Sequence, residues 1–233
     1  MGNLVIGGRV PDHVTRLTTQ QVVRLLFPSG VADEARRAIT DADPADEPRM
    51  LSVRPETEER CRVLLERLRW PDGVRCPRCE TATGISTIED RAQFECGGCG
   101  YQFSVRVGTV FHGSHLPLWK WVMAVHLMTG SAEGVSANQL RRTLGISYKT
   151  AWHLMHRIRA AMTEEGADGD HGDRGAVVAR SSRTLGRVTH LSAYLDEKAF
   201  RTKNRGNPYL LVEMLSRLIG IGSVPYARLI ASA

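Results

Sequence analysis

No stretch of this 233-residue chain approaches the ~18 uninterrupted apolar residues that a membrane span requires. The opening MGNLVIGGRVPDHV lacks the basic start, apolar run and small-residue cleavage site of a signal peptide. Leu4-Val5-Ile6, following Met1-Gly2, is also unlike a myristoylation signal. The sequence therefore predicts a cytoplasmic protein with no membrane partner. Cysteine is scarce, five residues in all, and in a reducing compartment paired cysteines serve as metal ligands more readily than as disulfides. No internal repeat of fixed period is present. What remains is an ordinary globular balance, 42% hydrophobic and 24% charged, with a net charge of +6. That excess of cations is a modest bias toward polyanionic partners.

Four of the cysteines fall into two C-x-x-C pairs, Cys76-Pro-Arg-Cys79 and Cys96-Gly-Gly-Cys99, separated by 16 residues. Each pair supplies two thiolates from one tight turn, and two such turns can close a tetrahedron around zinc with Zn–S bonds of about 2.3 Å. Pro77 and Gly97-Gly98 suit the curl of the backbone around the sulfurs. A redox role would need one pair at the head of a helix in a βαβ setting, which is absent. Cys76, Cys79, Cys96 and Cys99 are thus the predicted ligands of one structural zinc. Cys61 falls on the apolar face of a preceding helix and reads as a core residue. A ribbon can contact DNA, bind protein, or staple a segment too small to fold alone.

Around the cysteines the pattern predicts an α+β chain, mainly α. A small β zinc ribbon is followed by a helix-turn-helix module and C-terminal helices. Residues 1–53 read as a leader or linker: Thr18 and Thr19 can cap a short helix, and ADEARRAITDADPADEP resembles a linker or frayed helix. Met50 invites the idea that this leader is dispensable. Residues 54–115 hold a helix with Cys61, Leu64, Leu65 and Leu68 on one face, then short β-like runs of the ribbon. A Gly/Asp-rich linker covers 164–188, and 189–233 carry two more helices, the second opened by Asn207-Pro208 and closed at Gly220. Leu210, Leu211, Met214, Leu215 and Leu218 look exposed there and could drive homo-oligomerisation.

Residues 116–163 form the helix-turn-helix candidate. Ala137, Leu140 and Leu144 make one apolar stripe, Gly145 the turn, and Ser147 the cap of a second helix with Ala151, Leu154, Met155 and Ile158 inward. Such a second helix enters the major groove of double-stranded DNA. Candidate DNA contacts are Arg141, Arg142, Tyr148, Lys149, Thr150, His153 and Arg157. The span 136–162 contains no Asp or Glu, the asymmetry a duplex-facing element needs. A helical hairpin with a solvated basic face is the bland alternative. His112/His115 and His153/His156 lack a third ligand and read as packing or surface residues, with the His112–His115 turn available to cap the helix at Leu118. Trp119 and Trp121 read as core anchors.

RWPDGVRCPRC, FECGGCGYQFSVRVGTVFHGSHLPLWKWVMAVHLM and SANQLRRTLGISYKTAWHLMHRIRAAM together resemble the N-terminal half of bacterial insertion-sequence transposases that carry a zinc ribbon before a DDE-type catalytic domain. The tail HLSAYLDEKAFRTKNRGNPYLLVEMLSRLI is similar to the C-terminal end of the same proteins. The resemblance implies DNA transposition, binding to the element's ends, and Mg²⁺ held by three acidic or amide side chains in an intact member. This chain departs from the pattern in one place. Only 27 residues, 163 to 189, separate the helix-turn-helix from the tail, short of the ~50 that any domain needs. Asp168, Asp170 and Asp173 fall in that glycine-rich stretch and read as a solvated linker. Asp196 and Glu197, adjacent on a helix, cannot converge as a catalytic pair. No catalytic residues are assigned, and the expectation is an internally deleted, inactive transposase. A zinc-ribbon/helix-turn-helix transcription regulator is the alternative, and a protein-binding adaptor a third reading.

Overall fold

A computed structural model describes residues 16–28, 30–40, 51, 53–131, 133–162 and 191–224. The chain is mainly helical: eight α-helices and one three-stranded antiparallel sheet occur among the described residues. None of these helices is long and apolar enough to cross a membrane. The stretch holding Asp168, Asp170 and Asp173 lies outside the described residues.

Two helices occupy the expected leader. Helix α1 (Thr19–Leu26) opens with a capping box: the Gln21 amide donates to Thr18 Oγ1 at 3.3 Å, and the Thr18 amide donates to Gln21 Oε1 at 2.8 Å. Helix α2 (Val31–Thr40) carries Asp33 and Glu34 in its first turn, where the helix dipole favours anions. Val22, Leu26, Phe27, Val31, Ala32, Ala35 and Ile39 are all buried. Of the two readings of this stretch, a linker or a frayed helix, residues 31–40 take the helical one. What resembled a low-complexity run is an apolar stripe at positions 31, 32, 35 and 39, the spacing of one helical face. Both helices pack into the common core, so this part of the leader is not dispensable to the fold.

Helix α3 (Pro55–Arg69) starts on proline, whose missing N–H is harmless at that position. It buries Cys61, Leu64 and Leu65 as predicted. Helix α4 (Leu118–Gly130) is buried on every side from Trp121 to Met128, the signature of a central helix. Helices α5 (Ala137–Leu144) and α6 (Tyr148–Ala160) follow, then α7 (Leu191–Lys203) and α8 (Leu210–Gly220).

The tail helices are not orphaned. Helix α8 packs against α1, α3 and α4, and α7 packs against α6. Leu210, Leu211, Met214, Leu215 and Leu218 lie inside the core, so the expectation of an exposed oligomerising stripe is corrected. The stripe looked unpartnered because its partners are sequence-distant. The Thr19 amide donates to Pro208 O at 2.5 Å, and the Leu211 amide to Thr19 Oγ1 at 3.2 Å, tying the first helix to the last. Asn207 does not cap α8 directly: its Oδ1 accepts from the Tyr209 amide at 2.9 Å in the preceding turn, and the helix begins at Leu210, two residues beyond the expected Pro208.

The buried apolar side chains fall into two clusters. One apolar core joins all eight helices, including α3, whereas the ribbon has a second small cluster of its own. Its strands are β1 (Ile85–Ile88), β2 (Gln93–Cys96) and β3 (Gln102–Phe103), in that order. Ile85 opposes Cys96, and Phe94 opposes Phe103.

Candidate metal centre and nucleic-acid interface

The two C-x-x-C turns are built alike. In the first, the Glu80 amide donates to Cys76 O at 2.9 Å and the Cys76 amide to Thr81 O at 2.9 Å. In the second, the Gly100 amide donates to Cys96 O at 2.7 Å and the Cys96 amide to Tyr101 O at 3.0 Å. Each turn ends in a left-handed residue, Glu80 at φ 60° and Gly100 at φ 66°. Gly97 is required for a different reason: a Cβ there would stand 2.9 Å from Gly84 O, a backbone atom that cannot step aside.

These turns bring Cys76, Cys79, Cys96 and Cys99 together, with all four sulfurs within 4.8 Å of one another. Cys76 Sγ lies 3.7 Å from Cys99 Sγ, and Cys79 Sγ lies 3.6 Å from Cys96 Sγ. A regular tetrahedron with arms of about 2.3 Å has edges of about 3.8 Å, so the sulfurs already sit at the spacing of a zinc ligand set. The thiols themselves resist ionising together. Desolvation raises Cys76, but the amides of Cys79 and Arg78 and the adjoining thiols outweigh it and bring it down to about 7. For Cys79 the Thr81 amide pulls downward, yet desolvation and bonding with the other thiols push it up to about 12. A divalent cation at the centre removes that conflict by stabilising all four thiolates. Cys61 stays apart, buried in α3, with its thiol raised by desolvation and then by Glu58.

Helices α5 and α6 are joined as predicted. Ser136 and Gln139 form a capping box at the start of α5. Gly145 ends the helix in the left-handed region at φ 57°, where glycine is least strained. Ser147 Oγ then accepts from the Thr150 amide at 3.1 Å, capping α6. Ala151, Leu154, Met155 and Ile158 are buried. Tyr148 is 52% exposed, the most exposed large hydrophobic side chain among the described residues, and Lys149 beside it is exposed. Arg141, Arg142, Thr150 and His153 are half-buried. Desolvation, then the charges of Lys149 and Arg157, lower the His153 pKa, leaving a neutral imidazole at pH 7. Arg157 is turned inward, its Nη1 donating to Val110 O at 3.3 Å and His112 O at 3.4 Å.

Residues 56–102 match the family of transposase zinc-ribbon domains, IS1595 type. This segment is thus similar to transposase zinc ribbons. The chain is also similar to an uncharacterized protein in transposable element ISH50 of Halobacterium salinarum, 33% identical over 108 residues. That stretch is 46% of this chain and 36% of the relative, so the chain spans about a third of the length of the relative it matches. No solved structure matches the chain.

The cysteine turns and strands, 76–103, are fixed to the helices at the end of α3. Trp70, just past that helix, packs edge-on against Phe94 and Phe103 with centroids 5.7 and 6.0 Å away. The Arg69 guanidinium lies 4.6 Å over the Trp70 ring while its Nη1 donates to Val105 O at 2.8 Å. Glu58 makes a separate junction, between α3, α4 and the segment just past the strands. Its carboxylate accepts from the Leu118 and Trp119 amides at 2.8 and 3.0 Å, and from Arg106 Nη2 at 3.3 Å. The His112–His115 turn does not cap α4, because Glu58 on α3 already occupies that end. Ser114 Oγ instead accepts from the Leu116 amide and Trp121 Nε1.

Reading the sequence missed one buried group. Arg159 Nε donates to Glu197 Oε2 at 2.6 Å, and both side chains are 3% exposed. The only local signal was an arginine beside Ile158 on the inward side of α6, a position that demands a partner. Asp196 and Glu197 do diverge: Glu197 is buried, while Asp196 is half-exposed.

Proposed function

We propose that this transposase-related chain binds double-stranded DNA through α5 and α6 and performs no strand transfer itself. The observation that carries the reading is the capped α5–Gly145–α6 unit. It presents Tyr148 and Lys149 at the N-terminal end of α6, within a span, 136–162, free of acidic residues. Arg141, Arg142, Thr150 and His153 flank that end and would contact phosphates or base edges. Arg157 contributes indirectly, by holding the Val110–His112 loop against the helix. The zinc is structural: its four thiolates leave no open position for a reacting molecule. The ends of an insertion element are the expected target. Mg²⁺ belongs to the nuclease domain of an intact relative, and the 27 residues from 163 to 189 are too few to form one.

The test is fluorescence anisotropy of the zinc-loaded chain on duplexes carrying the flanking inverted repeats, on a palindromic promoter segment and on scrambled controls, over a range of salt. Preference for the repeats is expected, with log affinity falling by about 0.9 per phosphate contact per log unit of salt. Lys149→Ala weakens all duplexes and shallows that slope by about one contact. Incubation with Mg²⁺ or Mn²⁺ leaves the duplex unbroken. Salt-independent or absent binding overturns the DNA reading, preference for the promoter favours a regulator, and nicking above a zinc-stripped control overturns the inactive assignment.

A further inference from the structure

A cleft of about 660 Å³ lies away from the ribbon, between the start of α1, α2, the end of α4, α7 and the turn that follows it. Arg36, Lys198, Arg201 and Arg205 line it, and among the described residues no Asp or Glu does. Two of these cations are built in. Arg36 Nε donates to His126 Nε2 at 3.1 Å, and Arg201 Nη1 donates to Ser131 O at 2.9 Å while its Nε lies 3.5 Å from Glu197 Oε1. The backbone is cut away to seat them. A Cβ on Gly130 would meet Arg36 Nη2 at 2.8 Å, and one on Gly134 would meet Arg201 Nη2 at 2.9 Å. His126, 4% exposed, also lines the cleft. Because its Nε2 accepts from Arg36, its proton sits on Nδ1, which has no hydrogen-bond partner.

Four guanidinium or ammonium groups without a lining carboxylate make a site for anions, and planar guanidinium forks favour phosphate oxygens. The rest of the lining is hydroxyl and amide, from Thr18, Thr129, Ser131 and Asn204 among others. It offers no Phe, Tyr or Trp on which a base could stack. We propose that this cleft grips the phosphodiester backbone of a DNA strand, as a second contact separate from the exposed end of α6. It does not depend on α6 reading a groove.

The experiment is NMR of the full-length zinc-loaded chain, following arginine Nε–H signals and backbone amides. A tetrathymidylate, too short to present a duplex groove, is expected to shift Arg36 and Arg201 saturably and to leave Tyr148 and Lys149 unmoved. Lys198 and Arg205 are exposed, so Lys198→Gln/Arg205→Gln keeps the fold, as unchanged helical circular dichroism will verify. That variant should shallow the salt slope for the oligonucleotide by about 1.4, two contacts at about 0.7 each. The proposal is overturned if the signals stay still, if the slope is unchanged, or if inorganic phosphate alone binds as tightly as the strand. Should a duplex shift only the α6 signals, the cleft proposal fails and the reading of α6 stands. If tetrathymidylate fills the cleft while no duplex engages α6, the reverse holds.

Discussion

Among the described residues, the helical body buries 39 hydrophobic side chains around Trp121 and its neighbours, whereas the ribbon buries four, and two of those are cysteines. Burial of that many side chains, at roughly 1.5–3 kcal/mol for each large one, lets the body offset its own ordering entropy. Phe94 and Phe103 cannot do the same for the ribbon's three short strands, even with Trp70 laid across them. Chain order hides this contrast. Helix α3 falls inside the stretch matched to the ribbon domain, yet its buried face belongs to the body. The boundary between the two regions therefore runs through Trp70, at the end of α3, rather than through a linker.

Removing the metal should separate them most sharply. Chelation, or Cys96→Ser at a fully buried ligand, is expected to unfold the ribbon outright while the helices persist. Amide signals from 76–103 would collapse and Trp70 fluorescence would shift, with most far-ultraviolet helical signal retained. Concerted loss of both signals would mean that the body needs the ribbon, and the contrast would break. Acid should act in the same direction. The bound form needs all four thiolates, so zinc affinity falls as pH falls and protons re-occupy the sulfurs.

The next largest effect is expected within the body, at its single deeply buried ion pair among the described residues. Glu197→Ala removes the carboxylate that pairs with the buried Arg159 guanidinium, and with Arg201, between α6 and α7, at a cost of about 3–5 kcal/mol. Urea unfolding measures it, and the ribbon's metal affinity should not change. The paired replacement Glu197→Leu/Arg159→Met should recover most of the loss, since a buried pair is often no better than apolar side chains of similar volume.

A pH-dependent term follows at His126. Desolvation, then the charge of Arg36, lower its pKa to about 4, with Asp33 opposing weakly. The unfolded chain, titrating near 6.5, takes up a proton that the folded chain refuses. Stability from this group is complete above about pH 6.5 and is lost as pH falls toward 4, a change of up to about 3 kcal/mol. His126→Gln should flatten that part of the urea-midpoint profile. An unchanged profile would assign the acid sensitivity elsewhere in the body.

How much of this was legible in sequence depended on how far apart the partners lie. The four-cysteine cluster was readable because each turn needs only C-x-x-C and a tolerant backbone around it. The α5–α6 unit was readable for the same reason: Ser136, Gly145 and Ser147 act within three or four residues of themselves. Long-range partners left no such trace. Glu58 caps a helix 60 residues away, and Thr19 meets Leu211 across 192. The apolar face of α8 looked bare for want of α1, α3 and α4, and the cationic cleft draws on five helices at once. Composition alone leaves α2 open between a linker and a frayed helix, because alanine and aspartate suit both.

The smallest expected effect tests whether the ribbon's two turns are truly equivalent. Glu80 and Gly100 hold the same place after their cysteine pairs and the same left-handed backbone, yet only one is glycine. An L side chain in that region costs about 1–2 kcal/mol. Glycine would relieve this, and its greater freedom in the unfolded chain would return about 0.5–1 kcal/mol of the gain. Glu80→Gly should therefore stabilise the zinc-loaded ribbon by less than about 1 kcal/mol, with the helical body untouched. Gly100→Ala should move the same transition the other way, and both are read from the midpoint of ribbon unfolding by amide signals at saturating zinc. If Glu80→Gly instead weakens the ribbon, the glutamate makes a compensating contribution at the first turn, and the likeness of the two turns ends at their hydrogen bonds.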